Sequence, residues 1–520
     1  MSKSSSKLGS VEKIGIKLSP ALQIIILGLI CTLAILCRVF SVIRYESIIH
    51  EFDPWFNYRA TKILVEKGYY EFKYWMDREA WYPLGRYAGH TLFPGLMMTA
   101  WAMHGFVNLL KMPINIREVC VFTAPIFSAF TAIFTYLITK EITGKSRAGF
   151  LSAIFISTIP SYLSRSVAGS YDNEAVAIFA LVFAFYTFVK AVNTGSLLHA
   201  LGAAFGFYYM VLTWGGYIFV LGVLSIYVIG LIIVQRFNFK VYITFSIVYL
   251  IGNLLSLTMP FVSIWAVWES SEHLPSHIAF IIMQFYYLTG FVRRNLSSEK
   301  YNFLKRAIFN FGLIAVLAGF LYIVVMGKTT AGHRIMTLIN PVYAKKHNPL
   351  VASISEHQST PWGSFFFDLQ YTLFLAPVGV YVCLKKIRNA TLFIALYGIL
   401  SIYFASIMIR LLLVTAPALC ILSGIGASFV IEKCTDSIRA AINYIASAIN
   451  IISDEEDAND TTDTSKTKKK RKRIPLELAF IGSSIIAYLC CKAIFHGTWT
   501  AAVAYSSPSI ILCKIINSKT

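Results

Sequence analysis

The residues best equipped for chemistry are Arg165, Asp172 and Glu174, which interrupt an apolar chain within Ser164-Arg-Ser-Val-Ala-Gly-Ser-Tyr-Asp-Asn-Glu174. Ionisable groups at hydrocarbon depth are disfavoured by roughly 3 kcal/mol each on insertion scales, so they face a cavity, a partner or a substrate. Asp172 and Glu174 flank Asn173, and in an unwound turn the two carboxylates present hard oxygen ligands to one divalent cation. The Asp-x-Glu pattern is short, and a solvated loop with an incidental acid pair satisfies it as well. Other parts of the chain tip the balance toward a site.

Those parts are apolar. The 520 residues are 57% hydrophobic and 15% aromatic with only 14% charged, and the mean hydropathy is +0.64. This excludes a soluble domain and predicts an all-α polytopic membrane protein. The net charge of +20 does not imply nucleic acid, because Lys and Arg gather in short loops between apolar runs, as membrane topology requires. The nine cysteines sit mostly inside hydrophobic segments, with neither metal-ligand spacing nor a disulfide framework.

Residues 1–21 carry Lys3, Lys7, Lys13 and Lys17, which hold the N-terminus in the cytosol. Leu22–Val42 lacks a small-residue cleavage site and reads as a retained signal anchor. Further spans are expected at 119–138, 148–163, 175–190, 197–214, 217–235, 241–263, 277–292, 307–326, 366–384, 391–409, 411–430 and 476–495, about thirteen in all. Residues 22–430 thus form one transmembrane unit with two long loops, 44–116 and 327–365. Within the first loop, Phe93–Met112 is apolar but broken by Pro94, Gly95, His104, Gly105 and Asn108, and is expected to lie in the membrane interface. With that choice every basic connection falls in the cytosol, and Asp53, Asp172, Glu174, Glu356 and Arg410 share the opposite face. Residues 431–475 contain seven cations in the eight residues Lys466–Arg473 and are expected to be disordered, facing anionic lipid. The last span, 476–495, is followed by a short tail, 496–520.

The motifs His50–Arg59, Trp81–Arg86, Ser164–Glu174, Trp214-Gly-Gly-Tyr217, Ser353–Gln358 and Met408-Ile-Arg410, in that order, resemble the catalytic subunit of eukaryotic oligosaccharyltransferase, a membrane glycosyltransferase of the C type. The resemblance runs from the first span to about Ser509. It implies transfer of oligosaccharide from a dolichyl-pyrophosphate donor to the asparagine amide of Asn-x-Ser/Thr in the endoplasmic reticulum lumen. It also implies that Asp53 binds a divalent metal, Mn²⁺ or Mg²⁺, and contacts the acceptor amide. Asp172 and Glu174 lie on or near that metal, and Glu356 completes the site and holds the acceptor. Arg410 contacts the lipid-linked pyrophosphate, with Arg165 as a second cation nearby. Trp214 and Tyr217 are open to two roles, shaping the donor pocket or packing a helix turn. His357 is expected to pack the loop. The partners implied are the lipid donor, a nascent polypeptide, membrane lipid and further subunits.

Family members continue beyond Tyr505–Ser509 into a luminal domain whose Trp-Trp-Asp motif reads the sequon hydroxyl, and no such motif occurs here. The expectation for the 520 residues as written is therefore a chain that binds donor and transfers poorly, as a truncated, split or inactive relative would. A protein O-mannosyltransferase predicts neither the 164–174 turn nor the Ser-Glu-His-Gln loop. A lipid-linked sugar transporter predicts internal repeats and midplane sites.

Overall fold

The computed structural model describes residues 19–259, 272–295, 297–300, 349–451 and 474–507, with isolated positions among 262–267 and 302–347. The expected span at 307–326 and the basic run Lys466–Arg473 lie outside the described residues.

The chain is helical, as its apolar runs require. Among the described residues six helices are long and apolar enough to cross a membrane: Ile116–Thr143, Asn173–Thr194, Phe239–Ser256, Asn389–Ile407, Ile409–Ile442 and Leu476–Val503. The pair Trp362–Leu369 and Thr372–Lys385 is bent by 80° and makes a seventh if it is one broken span. Shorter apolar helices, Pro20–Leu36, Leu197–Thr213 and Tyr217–Ile233, occupy other expected positions. Helix Leu274–Asn295 stands where 277–292 is expected to span, but it ends in Arg293 and Arg294 and is not among the apolar six.

Four boundaries differ from the sequence reading, each for a local reason. The first run breaks after Leu36, and a separate helix Phe40–Tyr45 follows, because Arg38 turns inward between them. The expected 148–163 span divides into Ser146–Thr158 and Pro160–Leu163; Pro160 has no N–H to donate, and Ile159 before it is extended at ψ 127°. The expected 366–384 span is bent at Gln370, whose φ is +49°. The helix beginning at Leu412 runs on to Ile451, into the stretch expected to be disordered from 431, because nothing after Gly426 breaks it: residues 427–451 contain neither Gly nor Pro.

Leu412–Ile451 is the central element and packs against Thr372–Lys385, Ser146–Thr158, Asn389–Ile407 and Leu476–Val503. The approach is close: a Cβ at Gly424 would stand 2.0 Å from Ser152 Oγ. Small residues at such crossings let backbones meet, which is how helices associate in lipid. A second buried cluster, including Leu64, Phe72, Leu96, Met97, Cys120 and Tyr171, anchors the 44–116 loop on the bundle. That loop is structured, with helix Phe52–Lys73, a hairpin pairing Met76–Asp77 with Arg86–Tyr87, and helix Gly95–Leu109. The last of these is buried at its start, at Leu96, Met97 and Ala100, and exposed toward its end, at Phe106 and Leu109.

Candidate active site

The 164–172 connection between Pro160–Leu163 and Asn173–Thr194 is held by its own main chain. Gly169 has φ +94°, and a Cβ there would stand 2.3 Å from Ile48 O, so only glycine lets the segment lie against the loop. His50 N–H donates to Gly169 O (3.3 Å), Gly169 N–H donates to Val121 O (3.2 Å), and Asn57 Nδ2 donates to Tyr171 O (3.1 Å). Asp172 caps the following helix by accepting from Asn173 N–H (2.7 Å). One residue into that helix Glu174 is 1% exposed.

Glu174 is the hub of a quartet. Arg410 Nη2 and Nε donate to Glu174 Oε1 at 2.7 and 3.0 Å, and Arg165 Nε lies 3.5 Å from Oε2. Arg165 Nη2 in turn donates to Glu356 Oε1, and Arg410 Nη1 lies 3.8 Å from Glu356 Oε2. Two cations and two anions therefore alternate in a closed, neutral ring. Burial alone would push the Glu356 carboxyl up, but Arg165, Arg410 and His357 outweigh it and hold Glu356 below the usual carboxylate range. The same two carboxylates outweigh burial at Arg165 and raise its guanidinium further.

The loop bearing Glu356 and the turn bearing Arg410 are tied together: Ile409 N–H donates to Gln358 O (3.0 Å) and Thr360 N–H to Ser406 O (3.2 Å). All four members of the quartet line one cavity of about 250 Å³, with Ser161, Ser164, Ser355 and Asp368 as its other polar walls. Trp214 stacks on the quartet, its ring centroid 5.9 Å from Arg410 Cζ. Tyr217 instead packs against Phe207 and His273, at 6.1 and 5.8 Å between ring centroids. Trp214 thus lies beside the site and also packs the helix turn, its ring against Gly216 and its carbonyl accepting from Tyr217 N–H (3.2 Å). His357 Nδ1 is buried without a hydrogen-bond partner.

Asp53 and Asp172 lie on the same side of the bundle, close enough for Asp53 to act on the Asp172 carboxyl. That carboxyl is raised by burial first, then by Glu174 and Asp53, against the opposing Asn173 N–H and Arg165. Asp53 itself is exposed in the first turn of Phe52–Lys73. The four acids expected to share one metal do not form a ready set, since among the described residues no group of three or more His, Cys, Asp or Glu is placed to hold an ion. Both oxygens of Glu356 face arginines, as do both oxygens of Glu174.

Asp368 escaped the sequence reading. It is a lone charge in the apolar run Phe365-Phe-Phe-Asp-Leu369, and an ionisable residue inside such a run is itself the signal that marks a site.

These features define a multi-pass helical membrane protein whose charges converge on one cavity, and the fold is that of a membrane oligosaccharyltransferase. The archaeal oligosaccharyltransferase AglB from Archaeoglobus fulgidus, solved with an inhibitory peptide and a dolichol-phosphate, superposes with a TM-score of 0.67 at 16% identity over 95% of this chain and 56% of that one. The apo form of the A. fulgidus enzyme gives 0.68, over 95% and 57%. Residues 21–423 match the family model described as Oligosaccharyl transferase STT3, N-terminal, and the chain belongs to that family. It is 44% identical over 499 residues to the Arabidopsis thaliana dolichyl-diphosphooligosaccharide–protein glycosyltransferase subunit STT3B, covering 94% of this chain and 66% of that one. To the Dictyostelium discoideum subunit STT3 it is 40% identical, covering 94% and 65%. The chain thus spans about two thirds of the length of these curated relatives.

Proposed function

We propose that this chain supplies the membrane-embedded catalytic part of an oligosaccharyltransferase, which moves an oligosaccharide from a dolichyl-pyrophosphate donor to the amide nitrogen of Asn-x-Ser/Thr in the endoplasmic reticulum lumen. The observation that carries the reading is the Arg165–Glu174–Arg410–Glu356 quartet around one cavity. The reaction forms a bond from the sugar's anomeric carbon to nitrogen, breaks the bond from that carbon to the pyrophosphate oxygen, and passes one N–H proton to a carboxylate that accepts from it. The amide nitrogen is a poor nucleophile because its lone pair is delocalised into the carbonyl. Carboxylates accepting from the two N–H groups twist the amide and localise that pair, a task that falls to Asp53 and Glu356.

Arg165 and Arg410 stabilise charge that develops on the leaving pyrophosphate. In the neutral ring those arginines are occupied by Glu356. A donor pyrophosphate competes with Glu356 for them, and the displaced carboxylate becomes available to the acceptor amide. Donor and acceptor then bind in that order.

Asp53, Asp172, Glu174 and Glu356 are the acids from which a divalent cation, Mn²⁺ or Mg²⁺, would take its ligands in this reading, although among the described residues no three of them are gathered around one point. Asp172 is crowded by two like charges, and the buried Glu174 Oε2 has Arg165 Nε 3.5 Å away rather than at hydrogen-bond geometry. When bound, such an ion supplies electrostatic stabilisation of phosphoryl oxygen. Further subunits, a cytosolic N-terminus and a luminal site belong to the same reading.

The test is transfer from a lipid-linked oligosaccharide to a matched peptide pair, Asn-x-Thr against Asn-x-Ala, by the full chain with its co-purifying subunits and Mn²⁺. The 520 residues alone are expected to transfer poorly; with the co-purifying subunits, transfer confined to the Thr peptide is expected, and no transfer under any metal or subunit condition overturns the reading.

A further inference from the structure

Behind the 164–174 connection lies a cation to which the proposed reaction assigns no task. Arg38 is 0% exposed. Its Nε donates to Ser166 Oγ (2.7 Å), and its Nη1 donates to Ala34 O (2.8 Å) and Ser157 O (2.9 Å). The guanidinium carbon stands 4.9 Å from the centroid of the Tyr162 ring. Nη2 has no hydrogen-bond partner, and the polar groups that meet the guanidinium are neutral oxygens. A buried charge of this kind is unfavourable unless its hydrogen bonds do something that an apolar side chain cannot. Packing alone does not account for an arginine here.

The same residue grips the connection through its main chain. Ala168 N–H donates to Arg38 O (2.9 Å), and Ser41 Oγ, on the helix that begins two residues later, donates to Ala168 O (2.7 Å). Ser166 Oγ, which accepts from Arg38, also donates to Tyr162 O (2.6 Å). Ser166 therefore turns inward to Arg38 while its neighbour Arg165 reaches the cavity. We infer that Arg38 is a positioning residue for the donor: it clamps residues 166 and 168 and thereby sets where the Arg165 guanidinium stands. The inference rests on the donor-binding role proposed for Arg165. It assigns the break after the first helix a function, since an uninterrupted helix would carry Arg38 past the connection.

The test uses the full chain with its co-purifying subunits and the variants Arg38→Lys, Arg38→Met, Ser166→Ala and Arg38→Lys/Ser166→Ala. Hydrogen exchange over residues 164–169 is expected to quicken about tenfold in Arg38→Lys, the scale of one lost charged hydrogen bond, and further in Arg38→Met. Donor KM is expected to rise about tenfold in Arg38→Lys and kcat to fall with it, because Arg165 also meets the charge that develops on the leaving group, while acceptor KM stays within about twofold. Ser166→Ala should move the same quantities less, and the double variant should be no worse than Arg38→Lys, because the two residues act through one bond. If Arg38→Met does not fold, the lysine variant decides. Unchanged exchange, equal rises in both KM values, or an additive double variant overturns the inference. If the unmodified chain transfers nothing, the proposed function fails, and the exchange measurement alone then decides whether Arg38 clamps the connection.

Discussion

The two carboxylates of the quartet are held very differently. Glu174 is 1% exposed, one residue beyond a capped helix start, on a connection pinned by Arg38, Ser41, His50, Asn57 and Val121. Glu356 is 36% exposed in a short 3-10 turn, Ser355–His357, joined to the bundle chiefly through Gln358 and Thr360. One acid is scaffold and the other is a contact that can be exchanged. Under the proposed function, a pyrophosphate entering the cavity is expected to displace the less constrained anion first, because removing Glu174 means breaking a buried pair.

The largest effect is expected at the scaffold side. Glu174→Gln leaves Arg165 and Arg410 short of a buried counter-charge, and removing one partner of a buried pair destabilises by about 3–5 kcal/mol. Transfer should fall beyond detection, with a lowered unfolding temperature in detergent. A variant that unfolds normally would mean that Glu174 is not the structural hub.

The loop side should behave oppositely. Glu356→Gln is expected to reduce transfer about 100-fold by loss of the acceptor contact, and yet to bind lipid-linked donor about tenfold more tightly, because both arginines are released. Donor binding measured by a filter or fluorescence assay decides this; weaker donor binding would show that Glu356 does not compete with pyrophosphate.

Cation removal sharpens the same contrast. EDTA is expected to abolish transfer, and Mn²⁺ or Mg²⁺ to restore it. Asp172→Asn should raise the Mn²⁺ concentration for half-maximal transfer about tenfold, and Glu356→Gln less, because Glu356 sits in the more exposed turn. A larger shift in Glu356→Gln would reverse that order. The smallest effect belongs to Asp368, which shares the cavity wall with both arginines. Asp368→Asn should tighten donor binding only about twofold, since a partly solvated charge acts weakly at a distance.

Much of this was legible before any fold was known. Hydropathy determined a polytopic helical membrane protein, because lipid cannot hydrogen-bond a free backbone and long apolar runs have no other solution. Span parity placed Asp53 with Asp172, and the charges Arg165, Asp172, Glu174, Glu356 and Arg410 were marked by their apolar surroundings alone. The breaks were harder to read: Ile159–Pro160 was written in the sequence, while the inward turn at Arg38 and the bend at Gln370 depend on what lies opposite them. What only the tertiary structure decided was pairing. The arginines could have faced water, lipid phosphate or any of the acids. Their closure onto Glu174 and Glu356 and the approach of Trp214 follow from distances between segments up to 236 residues apart. Local pattern carries no information on such distances, because they are set by how helices pack, and helix packing answers to the shapes of all the side chains together.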